Sequence, residues 1–170
     1  VVAPNGASML RALVSMHKPK LILELGTAFG VSTYHMKKAQ PKDGKLITLE
    51  LVSERQETAK AFLKEEGYGE EDITFICGDF RDDALFRSLH DEHGAFDFVF
   101  IDAAKGQYAH LLEVILSLLN KNGVVVFDNV FLNGWLIRDE YPNHRQKTAF
   151  VRMKKFLDDV KYDERFTHTL

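Results

Sequence analysis

"LILELGTAFGVS", residues 21–32, is an apolar run broken once by Glu24, closed by Gly26 and Gly30, and followed directly by a segment of helical period. A strand that is apolar nearly throughout is one covered on both faces, as in a parallel sheet. The strand read here, Lys20–Gly26, has four counterparts at Lys45–Glu50, Asp72–Cys77, Phe96–Asp102 and Gly123–Asp128. Between them, Val31–Ala39, Ser53–Glu66 and Gln107–Leu119 have the length and apolar spacing of amphipathic crossover helices, and Ser53 with Gln56 fits a capping box. Repeated β-α units joined right-handedly predict an α/β fold, a doubly wound and mostly parallel sheet in a three-layer α/β/α arrangement. Ligands of such a sheet sit beyond the carboxyl ends of its strands.

Those strand ends differ chemically from the strands. They read Glu24-Leu25-Gly26, Glu50, Gly78-Asp79, Asp102 and Asp128-Asn129. Acids and glycines often end strands or cap the next helix, so any one of these residues has a purely local explanation. Five strands ending in this way point to a shared crevice. Gly26 and Gly30 allow a tight turn and a close backbone approach to a ligand, and the helix that follows favours an anionic group at its N-terminus. Glu50, 26 residues after Glu24, can accept hydrogen bonds from both hydroxyls of a ribose. A ribose-bearing cofactor is therefore expected. Asp102, Asp128 and Asn129 offer three oxygen ligands on adjacent strand ends, a set that suits Mg²⁺ or another divalent cation better than zinc. The alternative is two strand-end aspartates that cap loops.

Composition sets the frame. The chain has 170 residues, 45% hydrophobic and 28% charged, which suits one globular domain spanning 1–170. Its single cysteine, Cys77, cannot form an intramolecular disulfide, which favours a reducing, cytoplasmic setting. No apolar run approaches the ~20 residues needed to cross a bilayer, so no membrane partner is expected. A net charge of −3 gives no general attraction to nucleic acid, and such a partner would need a local basic patch. The start at Val1, without methionine, suggests flanking sequence outside the chain given. After Asn129 runs a connection of loop-like composition carrying Trp135, a candidate substrate lid. A helix near Arg145–Val160 and a short strand at Phe166–Leu170 are expected beyond it.

The glycine spacing E-x-G-x-x-x-G resembles the first motif of the Rossmann-like class I methyltransferases that use S-adenosylmethionine. "FIDAAKGQY" followed by "VVVFDNV" is similar to the metal-dependent O-methyltransferases, the family of the catechol and caffeoyl-coenzyme A enzymes. The resemblance implies cofactor contacts from Val2, Glu24, Gly26, Ser32, Glu50, Asp79, Phe80 and Asp102. Ser32 and the loop amides would meet the methionine carboxylate, Glu50 the ribose, and Asp79-Phe80 the adenine. It further implies Asp102, Asp128 and Asn129 as metal ligands, Asp102 and Lys105 as the catalytic pair with Lys105 as general base, and a homodimer. On the same grounds a helix before Val1 and a closing hairpin and strand after Leu170 are expected. Read locally, Asp79 caps a turn, Phe80 packs in the core, and Lys105 is an exposed lysine at a helix start.

One departure bears on the acceptor. The caffeoyl-type motif reads D-A-D-K, whereas Ala104 stands here in place of the second acid, which turns the expectation from acyl-coenzyme A esters to an oxygen pair on a nucleobase or phenol. Between Arg138 and Lys155 there are six Lys/Arg against two acids, the composition of a solvated helix face or of a phosphate-contacting patch. "FIDAAKGQY", the "DNVFLNG" turn and the Arg-rich helix resemble the bacterial branch that methylates 5-hydroxyuridine at the tRNA wobble position. That resemblance implies a tRNA anticodon loop as partner, with Trp135, Arg138 and Arg145 as substrate contacts. The other two readings are methylation of a small catechol-like phenol, and a non-catalytic nucleotide- or RNA-binding protein.

Overall fold

A computed structural model describes residues 3–140 and 143–169; Val2, expected at the cofactor, lies outside them. The elements in chain order are α1 (Pro4–His17), β1 (Leu21–Leu25), α2 (Val31–Ala39), β2 (Lys45–Glu50), α3 (Ser53–Glu65), β3 (Ile73–Cys77), α4 (Asp83–His93) and β4 (Phe96–Ile101). A 3₁₀ turn (Lys105–Gln107), α5 (Tyr108–Leu116), β5 (Leu119–Phe127), the short α6 (Trp135–Arg138), a second 3₁₀ turn (His144–Gln146) and α7 (Lys147–Lys161) complete the series. The five strands lie in the order β3-β2-β1-β4-β5, and every pairing is parallel. The chain builds outward from β1 to β3, then returns to build outward on the other side. The reversal point, between β1 and β4, is where an open α/β sheet leaves a crevice.

Strand side chains alternate between two cores, as the two-residue period of a strand requires. Leu23, Leu25, Ile47, Leu49, Val99 and Ile101 pack toward α4, α5 and α7. Ile22, Leu46, Phe98 and Phe100 pack toward α1, α2 and α3. The doubly wound, three-layer expectation holds, with all strands parallel.

Four local expectations are corrected. The capping box does not form: Val52 is the extended residue before α3, with no side-chain cap, and the Gln56 amide instead donates to the Ile76 carbonyl at 2.8 Å, joining α3 to β3. Residues 166–169 form no strand; Arg165 is held by Asp163 and Glu113, and Phe166 buries its ring against the α5–α7 core from irregular backbone. The helix expected over Gln107–Leu119 starts at Tyr108, after the 3₁₀ turn, and ends at Leu116. Leu119 already belongs to β5, pairing with Phe96 ahead of a register shift, so the strand begins four residues before Gly123. Helices α1 and α4 were not anticipated. Their signals are Pro4 in the first turn of α1, and Asp82, whose carboxylate accepts from the amides of Ala84 and Leu85 at the start of α4.

Asp97 explains the one acid inside the apolar β4. Its carboxylate accepts from the Lys20 and Leu21 amides at 2.8 and 3.0 Å and from the Asn120 side chain at 2.7 Å. It therefore ties the starts of β1, β4 and β5 together at the end of the sheet opposite the crevice. Burial alone would raise its pKa, but these donors outweigh burial and hold the group below the usual carboxylate range. A depressed folded-state pKa contributes stability above the unfolded value, near 4, and loses it as pH falls through the folded value. Asp97→Ala is expected to cost about 1–3 kcal/mol at pH 7 in urea unfolding, with the gap to wild type narrowing as pH falls below about 4.

Candidate active site at the strand ends

The backbone ladder runs one step past the strands. The Gly26 amide donates to Leu49 O, the Asp102 amide to Leu25 O, the Asp128 amide to Ile101 O, and Gly78 to Glu50 O, all at 2.9–3.0 Å. Glu50, Gly26, Asp102 and Asp128 therefore stand in a row across β2, β1, β4 and β5. Gly26 has φ +108°, and a Cβ on it would lie 2.3 Å from the Asp102 carbonyl oxygen. Glycine there is what lets the turn after β1 lie against β4.

Glu24 sits beneath this turn, fully buried. Its two oxygens accept from the hydroxyls of Ser32 and Thr33 at 2.5 Å and of Thr48 at 2.6 Å. Burial raises its pKa above the ordinary value against the pull of those three hydroxyls, and the Asp102 charge adds to the rise. Thr33 and Thr48 carry no motif signal in the sequence. Glu24 and Ser32 thus form a brace joining β1, β2 and the start of α2, from which the ligand-facing backbone is hung.

Glu50, also buried, accepts from the Ala28 amide at 2.9 Å and the Val52 amide at 3.0 Å. It borders a cleft of about 370 Å³ together with Gly26, Ala28, Phe80 and Asp102. Asp79 and Arg81 stand at the rim, where the Arg81 guanidinium holds the Asp79 carboxyl down to about 2. Asp79 also accepts from the Arg81 amide at 2.9 Å, so it shapes its own turn, and Phe80 packs partly against the core.

At the other end of the row, Lys105 Nζ donates to Asp102 Oδ1 at 2.8 Å, Tyr108 Oη at 2.8 Å and the Asp128 carbonyl at 3.2 Å. Tyr108 Oη in turn donates to the Asp128 carbonyl at 2.9 Å and reaches the Ile101 carbonyl at 3.2 Å. Burial, followed by the charges of Asp102 and Asp128, pushes its pKa up, so the hydroxyl keeps its proton. Asn129 follows in left-handed backbone, φ 54°, with its side-chain oxygen accepting from the Asn133 amide at 3.1 Å. Two carboxylates on neighbouring strand ends and the amide oxygen of the residue after the second are hard oxygen donors, the chemistry that Mg²⁺ or a similar divalent cation takes. Among the described residues no group of three His, Cys, Asp or Glu is placed to hold a metal, so a cation here depends on Asn129 or backbone oxygen for its third donor.

The residues expected at the acceptor lie farther out. Trp135 is half-buried against the core at the start of α6, the Arg138 guanidinium turns back to the Asn133 carbonyl at 3.3 Å, and Arg145 is exposed in the second 3₁₀ turn. None of them borders the cleft. In the basic stretch, Lys154 is paired with Asp139 and Lys155 with Asp159. Tyr108 and Ala28 are site residues that sequence reasoning passed over. Tyr108 had a usable signal, since it falls three residues after Lys105 and on the same helical face. No described helix is long and apolar enough to cross a membrane.

Comparison with known proteins points to one family. A family model described as O-methyltransferase matches residues 1–170. The chain is 35% identical over 133 residues to a catechol O-methyltransferase of Niastella koreensis, covering 78% of this chain and 59% of that protein. It is 30% identical over 152 residues to tapetum-specific methyltransferase 1 of Arabidopsis thaliana, covering 87% and 64%. The chain thus spans about three-fifths of the length of these relatives. Among solved structures, the O-methyltransferase TomG of Streptomyces achromogenes, in complex with S-adenosylmethionine, superposes with a TM-score of 0.83 at 27% identity, covering 96% of this chain and 71% of that one.

The Gly26 contact yields a paired test. Gly26→Ala adds a clash with the Asp102 carbonyl to an unfavourable φ and should cost on the order of 3 kcal/mol in urea unfolding. Gly67→Ala, at φ +87° with nothing within 4 Å of its added Cβ, should cost only about 1 kcal/mol. Equal losses would remove the close approach as the reason for glycine at Gly26.

Proposed function

The chain belongs to the O-methyltransferase family, and from that premise we propose that it transfers the methyl group of S-adenosylmethionine to one of two neighbouring oxygens on an aromatic acceptor, with a divalent cation bound at Asp102, Asp128 and Asn129. The observation that carries this reading is the row of strand ends, with a ribose-type carboxylate, Glu50, at one end of the cleft and the Asp102–Lys105–Asp128 group beside the other.

S-Adenosylmethionine supplies, when bound, a methyl group on a positively charged sulfur, and a divalent cation, when bound, makes an acceptor hydroxyl more acidic. The rest falls to the chain's own side chains. Glu50 keeps an acceptor position on each oxygen for ribose hydroxyls, because each accepts only one backbone amide. The turn from Gly26 to Gly30 brings backbone close to the methionine portion, and the start of α2 favours its carboxylate. Phe80 presents an apolar surface to adenine, while Arg81 keeps Asp79 at the rim. Lys105 Nζ, hydrogen-bonded to Asp102, is the group placed to take the acceptor's proton once it has passed one of its own three to solvent. Holding the two reactants in one cleft removes much of the entropic cost of their encounter.

For the acceptor, a small catechol-like phenol is the first reading. It is supported by the similarity to the Niastella catechol O-methyltransferase, by Ala104 where the caffeoyl-type motif has an acid, and by the pairing of Lys154 and Lys155 within the protein. Wobble 5-hydroxyuridine in tRNA is the second, favoured by Arg145, exposed in the second 3₁₀ turn, and Lys147, exposed at the start of α7. Its 5-hydroxyl and 4-carbonyl form the same kind of oxygen pair.

The experiment is methyl transfer with S-adenosylmethionine and Mg²⁺, offering a catechol and, separately, tRNA bearing 5-hydroxyuridine, with products read by mass spectrometry. Methylated catechol, abolished by chelation and reduced about 100-fold or more in kcat/KM by Asp128→Ala with S-adenosylmethionine affinity kept, is the expected result. Transfer to tRNA alone, falling steeply with salt, would favour the second acceptor. Full activity in chelator or in Asp128→Ala would overturn the cation's role.

A further inference from the structure

The side chain that organises the acid pair is Tyr108, which none of the chemistry above uses. It is 1% exposed, with its ring against Phe127 and Phe156 at centroid distances of 4.9 and 5.9 Å. Its hydroxyl is the only polar part of a side chain otherwise placed in the core. A phenol oxygen has one hydrogen to donate and lone pairs to accept. Here the hydrogen lies between the carbonyls of Asp128 and Ile101, the nearer at 2.9 Å, and the oxygen accepts from Lys105 Nζ at 2.8 Å. Ile101 is the last residue of β4, directly before Asp102, and the Asp128 carbonyl stands just past the end of β5. One hydroxyl thus spans the two strand ends that carry the acids.

Lys105 completes the bookkeeping. An ammonium has three hydrogens, and all three have acceptors: Asp102 Oδ1, Tyr108 Oη and the Asp128 carbonyl. Without the phenol oxygen, one hydrogen loses its acceptor in a part-buried setting, and the Asp128 carbonyl loses its nearer donor. Such a loss is not neutral, since an unpaired buried polar group costs more than an average hydrogen bond contributes. We infer that Tyr108 is a positioning residue: its hydroxyl fixes the Lys105 amine over Asp102 and fixes the Asp128 backbone, and so sets the spacing of the two acids. The inference concerns the same site as the proposed function and rests on that reading for its catalytic meaning, but its geometric content does not need the cation.

Tyr108→Phe removes the hydroxyl and keeps the ring. Phe156→Leu serves as a control, since it loosens the packing around the ring and leaves the hydroxyl in place. In metal-free protein, the rate of Lys105 acetylation by acetic anhydride, read by peptide mass spectrometry, should rise at least 5-fold in Tyr108→Phe and less than 2-fold in Phe156→Leu. Mn²⁺ binding, followed by the electron paramagnetic resonance signal of the free ion, should weaken about 10-fold in Tyr108→Phe and stay within 2-fold of wild type in Phe156→Leu. Unchanged Lys105 labelling in Tyr108→Phe, or equal effects of the two variants on labelling, overturns the positioning role. Wild-type protein that takes up no Mn²⁺ overturns the cation's part in the proposed function instead, and the labelling result decides the role of Tyr108 by itself.

Discussion

The arrangement depends on how close the turn after β1 comes to the backbone of β4. A Cβ at Gly26 would meet the Asp102 carbonyl oxygen at 2.3 Å, so the turn and the strand end touch main chain to main chain. A parallel sheet that builds outward in both directions must diverge at its reversal point, and there the contact closes the lower edge of the crevice while its mouth stays open. Asp102, just past β4, and Glu50, at the end of β2, then flank one turn.

Contacts of this kind are held from below. Glu24, three hydroxyls and the start of α2 form a buried polar cluster in which both carboxylate oxygens are satisfied. Buried polar groups of this type rigidify when complete and destabilise when a partner is missing. Burial raises the pKa of Glu24, and the three hydroxyls that it accepts from brace the turn between β1 and α2. At the opposite end of the sheet, Asp97 performs a parallel task by gathering the starts of three strands. Each acid inside an apolar strand is thus explained by donors that other segments deliver to it.

The architecture was legible because parallel strands buried on both faces are apolar nearly throughout, and five such runs separated by helical periods leave few alternatives. The row of strand-end acids was legible for the same reason, since a strand's end fixes where its last side chain stands. Sequence reasoning reached less far where tertiary contacts decide. Phe166 reads as part of a strand because it is apolar, yet it packs, partly buried, against the core from irregular backbone. Gln56 looked like a capping partner of Ser53, but the nearby Ile76 carbonyl claims its amide. Tyr108 reads as one more aromatic on an amphipathic helix, and only the fold brings two strand-end carbonyls and a lysine to its hydroxyl.

The register shift between β4 and β5 has a mechanical side. β4 lies between two neighbours and is fastened at both ends, by Asp97 below and by the Gly26 turn above. Among the described residues β5 pairs with β4 alone, and its lower half is already displaced from regular pairing. Asp102 is therefore held through the strand ladder, and Asp128 through side chains, since its carbonyl accepts from Lys105 and Tyr108. A change in the segment from Lys105 to Tyr108 would thus be felt at the β5 end of the row, while the ladder that joins β2, β1 and β4 past their ends stays as it is.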